Sequence, residues 1–280
     1  MHIQTKASFN KEILAFFRTN KFLIVAIVII GWSLISPLIY VGTIALLESM
    51  KPVYDSVGMD ISGMTGMLDV GTVSLGVSTG ISGLTQIGLI VYLLLINSFA
   101  GGEQKKRSVI IPRSSGLRSF SYVFPKFIVY PLAALVLSIA GAFASWAVSA
   151  IIYDIQDVTM GGVLLGGTLA GVCIMFYVCS HLTLGTATGM PGMSAAVCIV
   201  ASLILSDIFA FANPDHIYNP FTLNYLAAAA VHEGALRYVQ PRDIVFTILI
   251  ALVLMVILFF VALFAQNARK VDNSGNEVRL

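Results

Sequence analysis

The sequence predicts an all-α integral membrane protein with six transmembrane helices. Of its 280 residues, 58% are hydrophobic and only 11% are charged, whereas soluble domains carry about 25% charged residues. Six segments are apolar over about the 20 residues that a helix needs to cross the hydrocarbon core. These predicted spans cover 22–47, 81–100, 127–152, 161–180, 193–211 and 244–265. The composition excludes a soluble protein and predicts one membrane domain over residues 1–280.

A short amphipathic helix is predicted ahead of the first span, over residues 8–19. Four apolar residues recur at spacings that put them on one helical face: Phe9, Ile13, Phe16 and Phe17. Lys11 and Arg18 lie away from that face. The pattern is typical of an interfacial helix that lies along the inner leaflet with its aromatic side towards the lipid.

Two of the spans contain residues that affect helix shape and packing. Pro37 stands near the outer end of the first span, where it is expected to kink the helix. The fourth span is rich in glycines that allow close approach of another helix: Gly161, Gly162, Gly166, Gly167 and Gly171. Their partner is either a helix of the same chain or a second copy. The three cysteines, all within spans, are predicted to be small buried hydrophobes rather than disulfides.

The segment 103–126 between the second and third spans is strongly basic. It holds one acid, Glu103, and six cationic residues: Lys105, Lys106, Arg107, Arg113, Arg118 and Lys126. Short loops rich in Lys and Arg stay in the cytoplasm. With six spans, the basic N-terminal segment and the basic C-terminal tail fall on the same side, so both termini are predicted to be cytoplasmic.

Two long segments, 48–80 and 212–243, are predicted on the outer side. The first is rich in Gly, Ser and Thr, and we expect a flexible connection or an early start of the second span. In the second, an alanine-rich stretch follows Asn219-Pro220. It is a good helix former but too short to cross the membrane, so we expect it to be re-entrant or to lie at the outer surface.

No catalytic or nucleotide-binding motif is found in the sequence. His232-Glu233 lacks the second histidine of the HExxH zinc motif, and neither a GxxxxGK[ST] phosphate loop nor a GxSxG nucleophile motif occurs. We therefore predict no enzymatic activity, no metal site and no cofactor on this chain. Asp207 is the only acid inside a predicted span, and such acids are functional candidates. It is interpreted either as a carboxylate that reaches the membrane surface or as part of a substrate pathway.

The opening of the chain resembles that of type-2 ABC transporter permeases. These begin with an amphipathic elbow helix that contains Lys-Glu, continue with an arginine, and have Ser-Pro near the end of the first span. Here the corresponding residues are Lys11, Glu12, Arg18, Ser36 and Pro37.

Two further segments carry the same resemblance. Glu103, Gly116-Leu117-Arg118 and Lys126 match the family's acid after the second span, its small-residue and arginine segment, and its lysine at the third span. Arg107-Ser108 departs from the pattern, because Gly-Thr is usual there. Asn219-Pro220-Phe221 is similar to the proline-containing segment before the last span.

The resemblance implies an ABC exporter permease of the bacterial drug and peptide export type, in the plasma membrane. Two such subunits would pair, each on a separate ATPase that binds ATP and Mg²⁺. The loop between spans two and three would be the coupling helix, with Glu103, Arg107, Arg113, Arg118 and Lys126 as coupling residues. Pro37 and Asp207 are candidate pathway residues. The expected substrate is a lipophilic peptide, a drug or a similar amphipathic molecule, moved outwards by alternating access.

Two other interpretations stay open at this point. The chain could be a secondary transporter or a non-transporting membrane scaffold, and, with less support, an intramembrane enzyme. Membrane lipid is an expected partner in each case, and nucleic acid in none.

Overall fold

A computed structural model describes residues 2–56, 72–103, 116–212, 218–232, 240–271 and 277–279. Within these ranges, six helical segments are long and apolar enough to cross a membrane. They are Lys21–Thr43, Val73–Gly102, Ser119–Ile152, Met160–Thr188, Pro191–Ala212 and Pro241–Asn267. This confirms a helical, multi-pass architecture.

The described residues form nine α-helices and one two-stranded sheet. In chain order they are α1 (His2–Arg18), α2 (Lys21–Ser56), α3 (Val73–Gly83), α4 (Leu89–Ile96), α5 (Ser119–Ile152), α6 (Met160–Thr188), α7 (Pro191–Ala212), α8 (Leu223–Ala229) and α9 (Pro241–Asn267). The second span combines α3 and α4 with two π-helical turns, Leu84–Gly88 and Ser98–Gly102. A 3₁₀ turn, Pro220–Thr222, precedes α8. After α9, β1 (Arg269–Val271) and β2 (Glu277–Arg279) pair antiparallel.

Two spans begin about eight residues before their predicted starts. The second span starts at Val73, where the side chain of Thr72 accepts a hydrogen bond from the main-chain N–H of Leu75. The third starts at Ser119, because Tyr122 and Val123 are buried against Ala262 of α9. Lys126 therefore lies inside α5, not at its inner end.

The N-terminal helix α1 differs from its prediction in length and orientation. It covers His2–Arg18 rather than residues 8–19. Phe16 is fully buried, whereas Phe17 is 52% exposed. The ring of Phe16 lies 5.3 Å from that of Tyr130 of α5. The expected single lipid-facing aromatic face is thus wrong, because α1 packs one side against the helix bundle.

The glycine-rich stripe of the fourth span packs within the chain. A Cβ atom on Gly166 would lie 2.8 Å from Ile81, and one on Gly171 would lie 2.6 Å from Leu135. Gly167 is equally close to Ala142. These three glycines let α3 and α5 approach α6, which confirms intrachain packing for this part of the stripe. The cysteines are free and buried, as predicted.

Two proline-containing segments have defined places. The helix α2 continues through Pro37, and the main-chain oxygen of Pro37 accepts a hydrogen bond from the hydroxyl of Tyr153 at 3.0 Å. The alanine-rich stretch after Asn219 forms α8, with Leu223 and Leu226 buried against α3 and α6. α8 thus packs against the transmembrane helices, and its re-entrant and outer-surface placements both stay predictions.

Candidate functional site

One end of the bundle contains a cluster of paired charges, which we name the charged cluster. It consists of Lys11 and Glu12 from α1, Glu103 directly after the second π-helical turn, and Lys126 near the start of α5. Three separate elements thus meet at four charged side chains. Glu12 and Lys126 are only 2% and 3% exposed, and charges so deeply buried occur almost only where they are paired.

Lys126 has a partner for each of its three ammonium hydrogens. Its Nζ donates to Oε2 of Glu103 at 2.6 Å, to the main-chain oxygen of Phe99 at 2.9 Å and to the hydroxyl of Tyr122 at 3.0 Å. An ammonium group has three donors and no acceptor. The lysine is therefore fully satisfied, and it ties α5 to the end of the second span.

Glu103 is held by two lysines. Its other carboxylate oxygen, Oε1, lies 2.6 Å from Nζ of Lys11. Burial alone would raise the pKa of Glu103, but the charges and hydrogen bonds of Lys126 and Lys11 outweigh burial and lower the pKa to about 2. The carboxylate is therefore ionised at neutral pH and joins α1 to α5.

Glu12 extends the cluster towards the interior of the bundle. Its Oε2 accepts a hydrogen bond from the hydroxyl of Tyr130 at 2.6 Å. The ring of Tyr130 stacks on Phe99 at 4.8 Å, and its main-chain oxygen accepts a hydrogen bond from the hydroxyl of Tyr92 at 2.6 Å. Glu12 thus anchors α1 directly to the third span and, through Tyr130, to the second.

The π-helical turn Ser98–Gly102 places Glu103 in this cluster. Gly101 has φ 150°, a conformation that favours glycine. The turn lies directly on α6, since a Cβ atom on Gly185 would be 1.7 Å from the main-chain oxygen of Ala100. Such turns are frequent at functional sites. Lys21 of α2 also contacts the turn, with Nζ 4.2 Å from the ring centre of Phe99.

The structure brings together four of the residues singled out from the sequence: Lys11, Glu12, Glu103 and Lys126. Of the other coupling candidates, Arg118 is exposed at the residue before α5. Arg107 and Arg113 lie outside the described residues. On α1, Phe9 and Ile13 are half-buried and Arg18 is exposed.

The same end of the bundle also holds both sides of the basic segment and the last turns of α9. The amide of Gln4 donates to the main-chain oxygen of Gly116 at 3.4 Å, and the ring of Phe120 lies 6.0 Å from that of Phe259. The start of the chain, the edges of segment 104–115 and the end of α9 are therefore neighbours. This agrees with the predicted placement of the three basic segments on one side.

The two candidate pathway residues are not neighbours. Pro37 is buried beside Tyr153. Asp207 is exposed on α7, and its Oδ1 accepts a hydrogen bond from the hydroxyl of Tyr225 of α8. Beside Asp207 is a cavity of about 90 Å³ that Pro37 does not line. Sequence reasoning missed the polar pair Thr85-Gln86 in this cavity, although two polar residues inside an apolar span were a visible signal.

Other kinds of site find little support within the described ranges. No group of three or more His, Cys, Asp or Glu side chains there is arranged to hold a metal ion. In comparisons with known proteins, no family model, no curated protein and no solved structure matches this chain. A functional interpretation therefore depends on the geometry of the chain itself.

Proposed function

We propose that this chain is the membrane-spanning permease subunit of an ATP-driven ABC exporter. The supporting observation is the charged cluster, which joins Glu103, the residue before the basic segment 104–115, to α5, the helix that begins shortly after that segment. Glu103 precedes that segment and Lys126 follows it, and the two side chains are 2.6 Å apart. A partner that binds the segment would act on the second and third spans together.

The cluster also gives the N-terminal helix a role in this function. Because Lys11 and Glu12 contact Glu103 and Tyr130, α1 would move with the same two spans. Buried, fully hydrogen-bonded ion pairs are costly to break, so the cluster would transmit a displacement rather than absorb it. In this proposal α1 is the elbow helix, and the segment after Glu103 contains the coupling helix.

The proposed partners are a separate cytoplasmic ATPase and a second permease subunit. ATP and Mg²⁺ would bind to the ATPase and not to this chain. Lys and Arg are in excess at the end of the bundle that holds the charged cluster, which favours a cytoplasmic location for both termini. The proposed membrane is the plasma membrane. A lipophilic peptide, a drug or a similar amphipathic molecule is the proposed substrate, moved outwards by alternating access.

The test uses the tagged chain expressed with its ATPase. The wild-type complex should co-purify with an ATPase subunit and export substrate. Charge reversal by Arg113→Glu or Arg118→Glu should uncouple ATP hydrolysis from export without changing the thermal midpoint of the permease. Lys51→Glu is the matched control, because it reverses the charge of an exposed residue in the segment predicted to lie on the outer side.

Normal assembly and normal export in both arginine variants would show that the coupling assignment is wrong. Transport by the purified permease without any ATPase would instead favour the secondary transporter.

A further inference from the structure

A polar cavity lies inside the apolar bundle, away from the charged cluster. Its volume is about 90 Å³, which exceeds the roughly 30 Å³ that one water molecule occupies in the liquid. The walls come from the first π-helical turn, from α6 and α7, and from the segment 221–224. Four separate elements thus contribute to one partly open space, which Leu203 and Asp207 border from the exposed side of α7.

Two buried polar atoms in this wall lack a partner. Within the described part of the chain, neither the hydroxyl of Tyr177 nor Oδ1 of Asn224 makes a hydrogen bond. Tyr177 is only 3% exposed. Buried polar groups are nearly always hydrogen-bonded, because an unpaired one costs its full desolvation energy. Since both residues line the cavity, its occupant is expected to supply the missing partners.

Three serine and threonine hydroxyls around the cavity, unlike that of Tyr177, have already used their hydrogens. Ser202 donates to the main-chain oxygen of Ile199 at 2.8 Å, and Ser206 donates to that of Ser202 at 2.6 Å. Thr85 donates to the main-chain oxygen of Ser82 at 3.0 Å. Each hydroxyl oxygen therefore has only acceptor capacity left for a ligand.

A carboxylate and two aromatic rings in the wall favour a cation. Asp207 contributes a carboxylate to the wall. The ring centres of Tyr177 and Phe221, both lining residues, are 6.5 Å apart. Aromatic faces attract ammonium groups, and carboxylates form the stronger, charge-assisted hydrogen bonds. A ligand rich in donors and positively charged fits this wall better than an anion.

We propose that the cavity binds the primary ammonium group of an amphiphile. Three N–H donors can meet the acceptors at Asp207, Asn224 and the hydroxyl oxygens. The apolar part of the ligand would lie along the exposed side of α7, where Leu203 borders the cavity and Ile204 and Ile208 follow. The identity of this ligand as the exported substrate rests on the proposed exporter function; the binding site itself does not.

The experiment measures binding to the purified permease in lipid nanodiscs, without an ATPase. The probe is n-hexylammonium chloride, with n-hexanol as the neutral match and sodium chloride as the inorganic cation. Ligands that bind the folded state raise its thermal midpoint in a concentration-dependent way. Hexylammonium should raise the midpoint of the wild type, whereas hexanol and sodium at equal concentration should not.

Variants locate the site. Asp207→Asn should weaken hexylammonium binding about tenfold or more, as the loss of a hydrogen bond to a charged group predicts. Tyr177→Phe should weaken it about three- to tenfold. Asp154→Asn, at an exposed carboxylate outside the cavity, should bind like the wild type. Gel-filtration profiles and ligand-free midpoints establish that each variant is folded.

Equal shifts with hexanol would mean partition into lipid, and equal shifts with sodium would mean an inorganic cation site. Either result, or unchanged binding by Asp207→Asn, would overturn the proposal. Failure of binding would leave the exporter proposal intact, because that proposal is tested at Arg113 and Arg118 with the ATPase present.

Discussion

The charged cluster and the cavity are two polar regions inside an apolar bundle, and they differ in how completely their groups are paired. In the cluster, every ammonium hydrogen of Lys126 has an acceptor. In the cavity, Tyr177 and Asn224 each leave a buried polar atom without a partner among the described residues. A fully paired network stabilises and rigidifies the fold, whereas a partly paired one is costly. The first region is suited to hold helices together, and the second to receive a ligand.

Replacing Lys126 should cause the largest loss in the free energy of unfolding. Lys126→Met leaves the half-buried carboxylate of Glu103 with one lysine instead of two; loss of one member of a buried ion pair costs about 3–5 kcal/mol, and we expect the lower end of that range. The free energy of unfolding in mixed micelles measures it, with Trp fluorescence as the signal. The double variant Lys126→Met with Glu103→Gln should recover part of the loss. A single variant within about 1 kcal/mol of the wild type would contradict the role given to the pair.

Disturbing the close contact between Gly185 of α6 and the main-chain oxygen of Ala100 should cause the second largest loss of stability. Gly185→Ala would force a methyl group against the main-chain oxygen of Ala100, and overpacking of this kind costs about 1–3 kcal/mol. We expect the upper end of that range, because main-chain atoms move less readily than side chains. Gly192→Ala is the matched control, since its Cβ meets no atom within 4 Å. Equal stability of the two variants would mean that α6 does not constrain the turn.

Replacing one tyrosine in each region compares the charged cluster with the cavity most directly. Tyr130→Phe removes the hydrogen bond to the buried Glu12, and loss of a bond to a charged group costs about 2 kcal/mol. Tyr177→Phe removes a hydroxyl that has no partner among the described residues, so without ligand it should not lower the free energy of unfolding and should raise it by about 1–3 kcal/mol. The same unfolding measurement on both variants checks this. A large loss for Tyr177→Phe would show that its hydroxyl is already paired in the folded protein.

Acid should weaken the cluster by a smaller amount in the accessible range. The folded pKa of Glu103 is lowered to about 2 from a usual value of 4.5. A carboxyl with a lowered folded pKa stabilises the fold fully above its unfolded pKa, and this contribution falls as pH drops from about 4.5 through about 2. The thermal midpoint of the wild type should therefore decline across that window. Glu103→Gln should show a shallower decline, and parallel curves would assign the acid sensitivity elsewhere.

The six spans could be predicted because long apolar segments depend on composition alone. Their boundaries could not, since the early start of α5 depends on Tyr122 and Val123 meeting Ala262 of α9. The resemblance marked Glu103 and Lys126 as coupling residues but predicted no contact between them, so their pairing is known only from the structure. No local pattern placed Lys11 in the same cluster.

The cavity was harder to predict than the cluster. Asp207 was visible as an acid within a span. Tyr177 and Asn224 stand far apart in the sequence, and each is an ordinary polar residue in its own helix. Their significance arises only from the tertiary packing that leaves both without partners. The buried side of Phe16 was also misassigned, because periodicity defines a helical face but not whether lipid or protein covers it.

The two π-helical turns of the second span have a consequence for insertions and deletions. A π turn accommodates an extra residue compared with an α turn, and each residue of an α-helix rotates the chain by about 100°. Gly101, at φ 150°, interrupts the helical geometry inside Ser98–Gly102, so deleting one residue there would change the direction and rotation with which the chain reaches Glu103 and would move its carboxylate away from Lys126 and Lys11. The number of residues before Glu103 sets the direction in which its side chain leaves the helix. We therefore expect this number to tolerate change less well than most of the side chains in the segment.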